Sequence, residues 1–275
     1  MRTKKTATAF DLNGPPDAPV LVLIHGLGLT RRTWDDFVPV LAQNYRVLTY
    51  DLPGHGESPL LQEKPSLPLL SEQLLGLMDG LAIDRATIVG FSLGGMINRR
   101  FAIDHPLRVA SLVILNSPHE RGPAAQRLVE ERAAQTAEGG PVATIDSTLE
   151  RWFTPQFLKT LPDKVAQIRA WVLANDPDTY SAFRQVLASG VIEIIRPHPA
   201  IAAPTLVITC EHDSGSTPAM SHAIASEIAG AETLILPGLQ HLGLIERPEL
   251  FTQPILHFLE RSLPLPDLTG GHEPH

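Results

Sequence analysis

Ala86-Thr87-Ile88-Val89-Gly90-Phe91-Ser92-Leu93-Gly94-Gly95-Met96 passes from a short strand-like run, through a serine flanked by glycines, into a segment of helical spacing. Ala86 to Val89 is compact and β-branched, the pattern of a strand covered on both faces. In Leu93 to Ile103, residues Leu93, Met96, Ile97 and Phe101 fall on one helical face, and His105-Pro106 stops the helix. A serine between a strand and a helix, with glycines two positions to either side, matches a nucleophile carried on a strained turn, since the glycines let the backbone close around it.

Working outward from this unit, Val20 to Ile24, Val47 to Tyr50, Leu112 to Leu115, Leu206 to Thr209 and Thr233 to Leu236 repeat the strand pattern. Helical spacing returns in Trp34 to Leu41, Leu69 to Leu81, Pro218 to Ile228 and Pro248 to Leu263. Strands alternating with helices of this length imply parallel pairing through right-handed crossovers. The expected fold is therefore α/β, an open, doubly wound, mostly parallel sheet.

The alternation fails between 119 and 200. Ala124 to Glu138, Thr144 to Phe153, Pro162 to Ala174 and Pro177 to Ala188 read as four helices, and the only strand-like run is Val191 to Ile195. The expected organisation is a core of 1–118 and 201–265, a helical lid of 119–200 inserted over the carboxyl edge of the sheet, and a disordered tail at 266–275.

Serine is a weak nucleophile until a base takes its proton. Of eleven histidines, His241 follows the last strand-like run in the loop Pro237-Gly238-Leu239-Gln240 and precedes the final helix, as the base should in the chain order serine, acid, histidine. Asp213, just after the run Leu206 to Cys210, suits the carboxylate that holds the imidazole in its tautomer, with Glu211 as the fallback. The preceding strand ends in Asn116-Ser117-Pro118 and offers no carboxylate. An oxyanion hole needs two backbone N–H groups; Leu93, after the nucleophile, and Leu27, in the turn His25-Gly26-Leu27-Gly28, are the candidates. His25 and His55 lie in tight glycine turns that suit local backbone hydrogen bonds, and His25 is also a candidate for substrate contact.

Composition narrows the function further. With 30 acidic and 22 basic residues the formal charge is −8, and no basic run could track a phosphate backbone, so nucleic acid is not an expected partner. The single cysteine, Cys210, excludes an intrachain disulfide and a thiolate metal site and suits a reducing compartment, read as cytoplasmic. No apolar stretch suggests a signal peptide or a membrane span. Neither a His-Glu-x-x-His pattern nor a dinucleotide fingerprint is present, so no metal or cofactor is expected. The expected partner is a small-molecule substrate, and a homo-oligomer is compatible with the sequence.

His25-Gly26-Leu27-Gly28, Tyr50-Asp51-Leu52-Pro53-Gly54-His55-Gly56-Glu57-Ser58 and Gly90-Phe91-Ser92-Leu93-Gly94-Gly95-Met96 together resemble the α/β hydrolases across nearly the whole chain. Within them, Arg151-Trp152-Phe153-Thr154-Pro155-Gln156-Phe157, Ile201-Ala202-Ala203-Pro204-Thr205-Leu206-Val207-Ile208, and His241-Leu242 with Ile245-Glu246-Arg247-Pro248 resemble the 3-oxoadipate enol-lactonases. The resemblance implies the α/β-hydrolase fold and attack of Ser92 on a lactone carbonyl, followed by hydrolysis of an acyl-enzyme. It also suggests Trp152 as a pocket residue, although Trp152 and Trp171 could equally form a small core of the lid. Pro53, where these lactonases often carry arginine, and the stretches 211–216 and 238–240 depart from the pattern. Arg121, Arg151 and Arg184 could meet a substrate carboxylate, but each also reads as a solvated helix residue. The same site could serve carbon–carbon bond hydrolysis or a cofactor-free oxidative reaction of the haloperoxidase type; in a different class stands a ligand receptor that kept the scaffold.

Overall fold

The computed structural model describes residues 8–262, so the tail expected at 266–275 lies outside the described residues. The strands are β1 (Phe10–Asn13), β2 (Val20–Ile24), β3 (Arg46–Tyr50), β4 (Ala86–Phe91), β5 (Val109–Leu115), β6 (Thr205–Cys210) and β7 (Glu232–Leu236). They form one sheet in the order β1-β3-β2-β4-β5-β6-β7, and every pairing is parallel except that of β1 with β3. The doubly wound, mostly parallel α/β sheet is thus as expected. In β4 and β6 every residue is buried, which explains why these strands lack an alternating pattern. The sequence reading misses β1, whose four residues alternate between half-buried Phe10 and Leu12 and exposed Asp11 and Asn13 at the sheet edge.

The helices are α1 (Val38–Leu41), α2 (Leu67–Gly80), α3 (Leu93–Asp104), α4 (Pro123–Gly139), α5 (Ile145–Trp152), α6 (Pro155–Thr160), α7 (Pro162–Leu173), α8 (Pro177–Ser189), α9 (Pro218–Ser226), α10 (Gly243–Glu246) and α11 (Glu249–Ser262). Two expectations are corrected here. The helix foreseen from Trp34 to Leu41 is split: a 3₁₀ turn, Arg31–Trp34, is capped by the Thr30 side chain, and a helix restarts at α1 with Pro39 in its first turn. The strand-like run Val191 to Ile195 begins instead in a 3₁₀ turn, Gly190–Glu193. Val191 and Ile194 are buried while Ile192 is exposed, the three-residue period of such a turn rather than the two-residue period of a strand.

The four helices foreseen between β5 and β6 are α4, α5, α7 and α8; α6 is additional, started by Thr154 as cap and Pro155 at its first position. Despite this long excursion β5 and β6 pair directly, with Leu115 beside Ile208. The loops after β2, β4, β5, β6 and β7 therefore all open on one edge of the sheet. The helical excursion is tied to that edge: the Leu242 N–H donates to the Trp152 carbonyl at 2.8 Å, and the backbone N–H and hydroxyl of Thr154 both donate to Glu246, each at 2.7 Å.

Candidate active site

Ser92 joins β4 to α3 with φ 55° and ψ −112°, a conformation that costs a residue with a side chain about 1–3 kcal/mol. The surroundings enforce it. A β-carbon at Gly90 would lie 2.1 Å from the Gly94 carbonyl oxygen, and one at Gly94 would lie 2.2 Å from that of Ile24. The Ser92 N–H donates to the Leu115 carbonyl at 2.8 Å and the Ser117 hydroxyl donates to the Ser92 carbonyl at 2.9 Å. Arg99, buried beneath the turn, staples it to the loop after β5 by donating to the carbonyls of Gly95 (2.9 Å) and Pro118 (2.6 Å). Burial lowers the Arg99 guanidinium to about 9.

Three residues that lie far apart in sequence converge here. His241 Nε2 is 3.1 Å from Ser92 Oγ, and His241 Nδ1 is 2.6 Å from Asp213 Oδ2. With Nδ1–H donated to the carboxylate, Nε2 is the acceptor facing the serine hydroxyl. Asp213 is buried, and each oxygen accepts two hydrogen bonds. Oδ2 takes His241 and the Asn116 amide (2.9 Å), while Oδ1 takes the N–H groups of Gly215 (2.8 Å) and Ser216 (2.9 Å). Burial alone would raise this carboxyl; the facing His241, Asn116 and the Ser216 amide outweigh it and hold the group below its ordinary value. Glu211 is half exposed and instead accepts the Gly238 N–H.

Leu93 is the first residue of α3, so its N–H has no acceptor within the helix and sits at the positive end of the helix dipole. Leu27, in the turn after β2, lines the cavity beside Ser92. Among the described residues neither N–H has a hydrogen-bond partner. Trp152 lines the same cavity, with its ring 6.1 Å from that of His241; Trp171 borders a separate depression with Arg31 and Gln167. The two tryptophans thus border different depressions.

His25 is corrected as a substrate contact. It is fully buried, absent from the cavity wall, and both ring nitrogens serve the backbone: Nδ1–H donates to the Gly26 carbonyl at 2.8 Å, and Nε2 accepts the Leu52 N–H at 3.0 Å. Burial lowers it to about 4 and lowers neighbouring His55 to about 3, so both rings are neutral; His25 braces the turn after β2 against the turn after β3, while His55 Nδ1–H donates within its own turn to the Pro53 carbonyl at 3.0 Å. Cys210 is also buried, with its thiol raised by burial to about 12.

The sequence reading assigns no role to Asn116, Arg99 or Glu246. Asn116 carries the one local signal: an asparagine directly after a strand suits the left-handed backbone that it adopts, φ 44°. The cation expectation changes most. Arg121, Arg151 and Arg184, with Arg132, line the cavity; Arg184 is only 7% exposed and the other three are half-buried, so none is a fully solvated residue.

Residues 21–253 match the family model described as the alpha/beta hydrolase family. A provisional carbamate hydrolase of Stutzerimonas stutzeri is 30% identical over 253 residues, covering 91% of this chain and 96% of the relative. The 3-oxoadipate enol-lactonase 1 of Acinetobacter baylyi is 30% identical over 250 residues, 89% of this chain and 90% of the relative. The crystal structure of the enol-lactonase from Burkholderia xenovorans superposes with a TM-score of 0.85 at 30% identity, covering 94% of this chain and 98% of that one. With the sheet order and the serine turn in agreement, this chain belongs to the alpha/beta hydrolase family.

Proposed function

We propose that the protein is a serine hydrolase that opens a lactone or cleaves a small carboxylic ester through an acyl-enzyme. The observation that carries the reading is the unbroken hydrogen-bonded chain from Ser92 Oγ through His241 to buried Asp213. In the first step His241 Nε2 takes the serine proton as Oγ attacks the carbonyl, and the N–H groups of Leu27 and Leu93 stabilise the oxyanion. His241 then returns the proton to the leaving alkoxide or enolate as its bond to the carbonyl carbon breaks. A water molecule, deprotonated by the same nitrogen, attacks the acyl carbon; the bond from Ser92 Oγ to that carbon breaks, His241 returns the proton to Oγ, and the acid is released. Asp213 keeps Nδ1 protonated and stabilises the imidazolium formed in each step. Residues 119–200 act as a lid whose Trp152 walls the substrate pocket. No cofactor enters this scheme, and the buried thiol of Cys210 suits a reducing, cytoplasmic setting.

The enol-lactonase relatives favour a lactone as the acyl donor. A carbamate is the second reading, favoured by the Stutzerimonas stutzeri relative; it needs the same nucleophile, and the proton goes to an amine leaving group. The test follows enol-lactone loss by ultraviolet absorbance beside cleavage of p-nitrophenyl acetate and of an N-substituted carbamate, with Ser92→Ala as control. Lactone opening that vanishes in Ser92→Ala is expected. Ester or carbamate cleavage without lactone opening would move the substrate, and activity surviving in Ser92→Ala would overturn the serine mechanism.

A further inference from the structure

The cavity beside Ser92 is cationic although the chain as a whole carries a formal charge of −8. Arg121 from the loop after β5, Arg132 from α4, Arg151 from α5 and Arg184 from α8 all line it. Its one carboxylate is Asp213, whose oxygens are already engaged by His241, Asn116 and two backbone amides. Among the described residues none of the four guanidiniums forms an ion pair. Their other contacts are neutral. Arg121 reaches the Leu187 carbonyl at 3.5 Å, Arg151 donates to the Thr148 hydroxyl at 3.2 Å, and Arg184 lies 5.7 Å from the centre of the Tyr180 ring.

Buried donors are left over. Among the described residues, Nε and Nη2 of Arg184, and Nε of both Arg121 and Arg151, are enclosed without an acceptor. Burial first, and then repulsion from Arg132 and Arg184, pull Arg151 down to about 10; burial and Arg184 likewise lower Arg132. Burying like charges without counter-charges is unfavourable, and nothing in packing alone requires four of them around one cavity. An arriving anion removes the penalty, because the guanidinium fork matches a carboxylate bidentately and binds it most strongly where water is excluded. One carboxylate has two oxygens and roughly four lone-pair sites, too few for four forks of about five N–H donors each.

We propose that the substrate of this site is an ester or lactone that carries two carboxylates, both remote from the scissile carbonyl and held by Arg151 and Arg184 with Arg121 and Arg132 flanking them. The inference rests on the serine hydrolase reading and narrows its substrate class.

The experiment compares kcat/KM for three p-nitrophenyl esters of similar size: the neutral butyrate, the singly charged glutarate and the doubly charged tricarballylate. Wild type is expected to prefer the dianion over the neutral ester by about 100-fold, on the order of tenfold per carboxylate. Arg184→Gln and Arg151→Gln should each reduce that preference by at least about tenfold, mainly through KM. In parallel, free tricarballylate should bind Ser92→Ala by calorimetry and inhibit wild type competitively, while its trimethyl ester should do neither. Equal rates on the three esters, with no tricarballylate binding, would overturn the proposal; so would an unchanged preference in both arginine variants. If those variants fail to fold, inhibition and calorimetry decide it. Tricarballylate binding without Ser92-dependent cleavage of any ester would retain the anion site and reject the hydrolase reading, so the two failures are distinct.

Discussion

Ser92 holds a positive φ that a side-chain-bearing residue adopts only under compulsion, and its hydroxyl is aimed at an imidazole fixed from behind by a buried carboxylate. Ser92→Gly and Ser92→Ala both delete the hydroxyl, so their difference isolates backbone strain. Glycine is expected to be more stable by about 1 kcal/mol, the strain relieved less the entropy it adds to the unfolded chain. Urea unfolding measures this, and greater stability of the alanine variant would mean that the turn is unstrained. Turnover should fall by roughly 10⁴- to 10⁶-fold in Ser92→Ala and His241→Ala, and by about 10⁴-fold or somewhat less in Asp213→Asn, where the wrong imidazole tautomer is favoured. Asn116→Gly keeps the left-handed backbone but removes the amide on Asp213 Oδ2; kcat should drop by roughly 10- to 100-fold, the effect of one hydrogen bond to a charged group. The strand-end positions of the serine, the acid and the histidine are legible along the chain, because local pattern determines where strands stop. Asn116 is not: its role depends on a residue 97 positions away, and no local pattern reports that proximity.

Among the elements, the approach of α3 to β2 tolerates no side chain at position 94. Gly94→Ala should therefore lower stability by about 3 kcal/mol, read as a shift in the urea midpoint, since the atom it strikes is backbone and cannot swing aside. Glu246, in α10 just after the loop of His241, accepts two hydrogen bonds from Thr154 of the helical segment. Glu246→Ala should cost about 2 kcal/mol and speed amide exchange across 155–160, measured by hydrogen–deuterium exchange. Unchanged exchange would show that the segment is held elsewhere. Most helices are readable from the 3.6-residue period. Those that escape are short: α6 has only its Thr-Pro start, and Val191 to Ile195 is too brief for its period to separate a strand from a 3₁₀ turn until burial is known.

For the whole molecule, two pH windows follow from the buried groups. His25 and His55 have folded values near 4 and 3, below the unfolded value of about 6.5, so their neutral forms support the fold fully above about 6.5 and lose that support as pH falls toward 4. Unfolding near pH 5 should then take up about two protons, a slope of about 2.7 kcal/mol per pH unit, obtainable from urea titrations across pH 4.5–6. A flat profile there would mean that the rings are protonated in the native protein. Asp213, held below its ordinary value, contributes fully above about 3.9 and is lost only in more acidic solution, as pH falls through its folded value. At this scale the sequence by itself determined the sheet class, the position of the serine turn and the order of its partners, because strand burial, glycine spacing and helix starts are written in neighbouring residues. Only the tertiary structure decided that His25 is a brace and not a ligand, that Trp152 faces the cavity while Trp171 does not, and that four arginines from separate segments share one pocket. Each of those depends on which surfaces meet when the helices pack over the sheet edge, and an arginine on an isolated helix reads the same whether it ends in water or in a cavity.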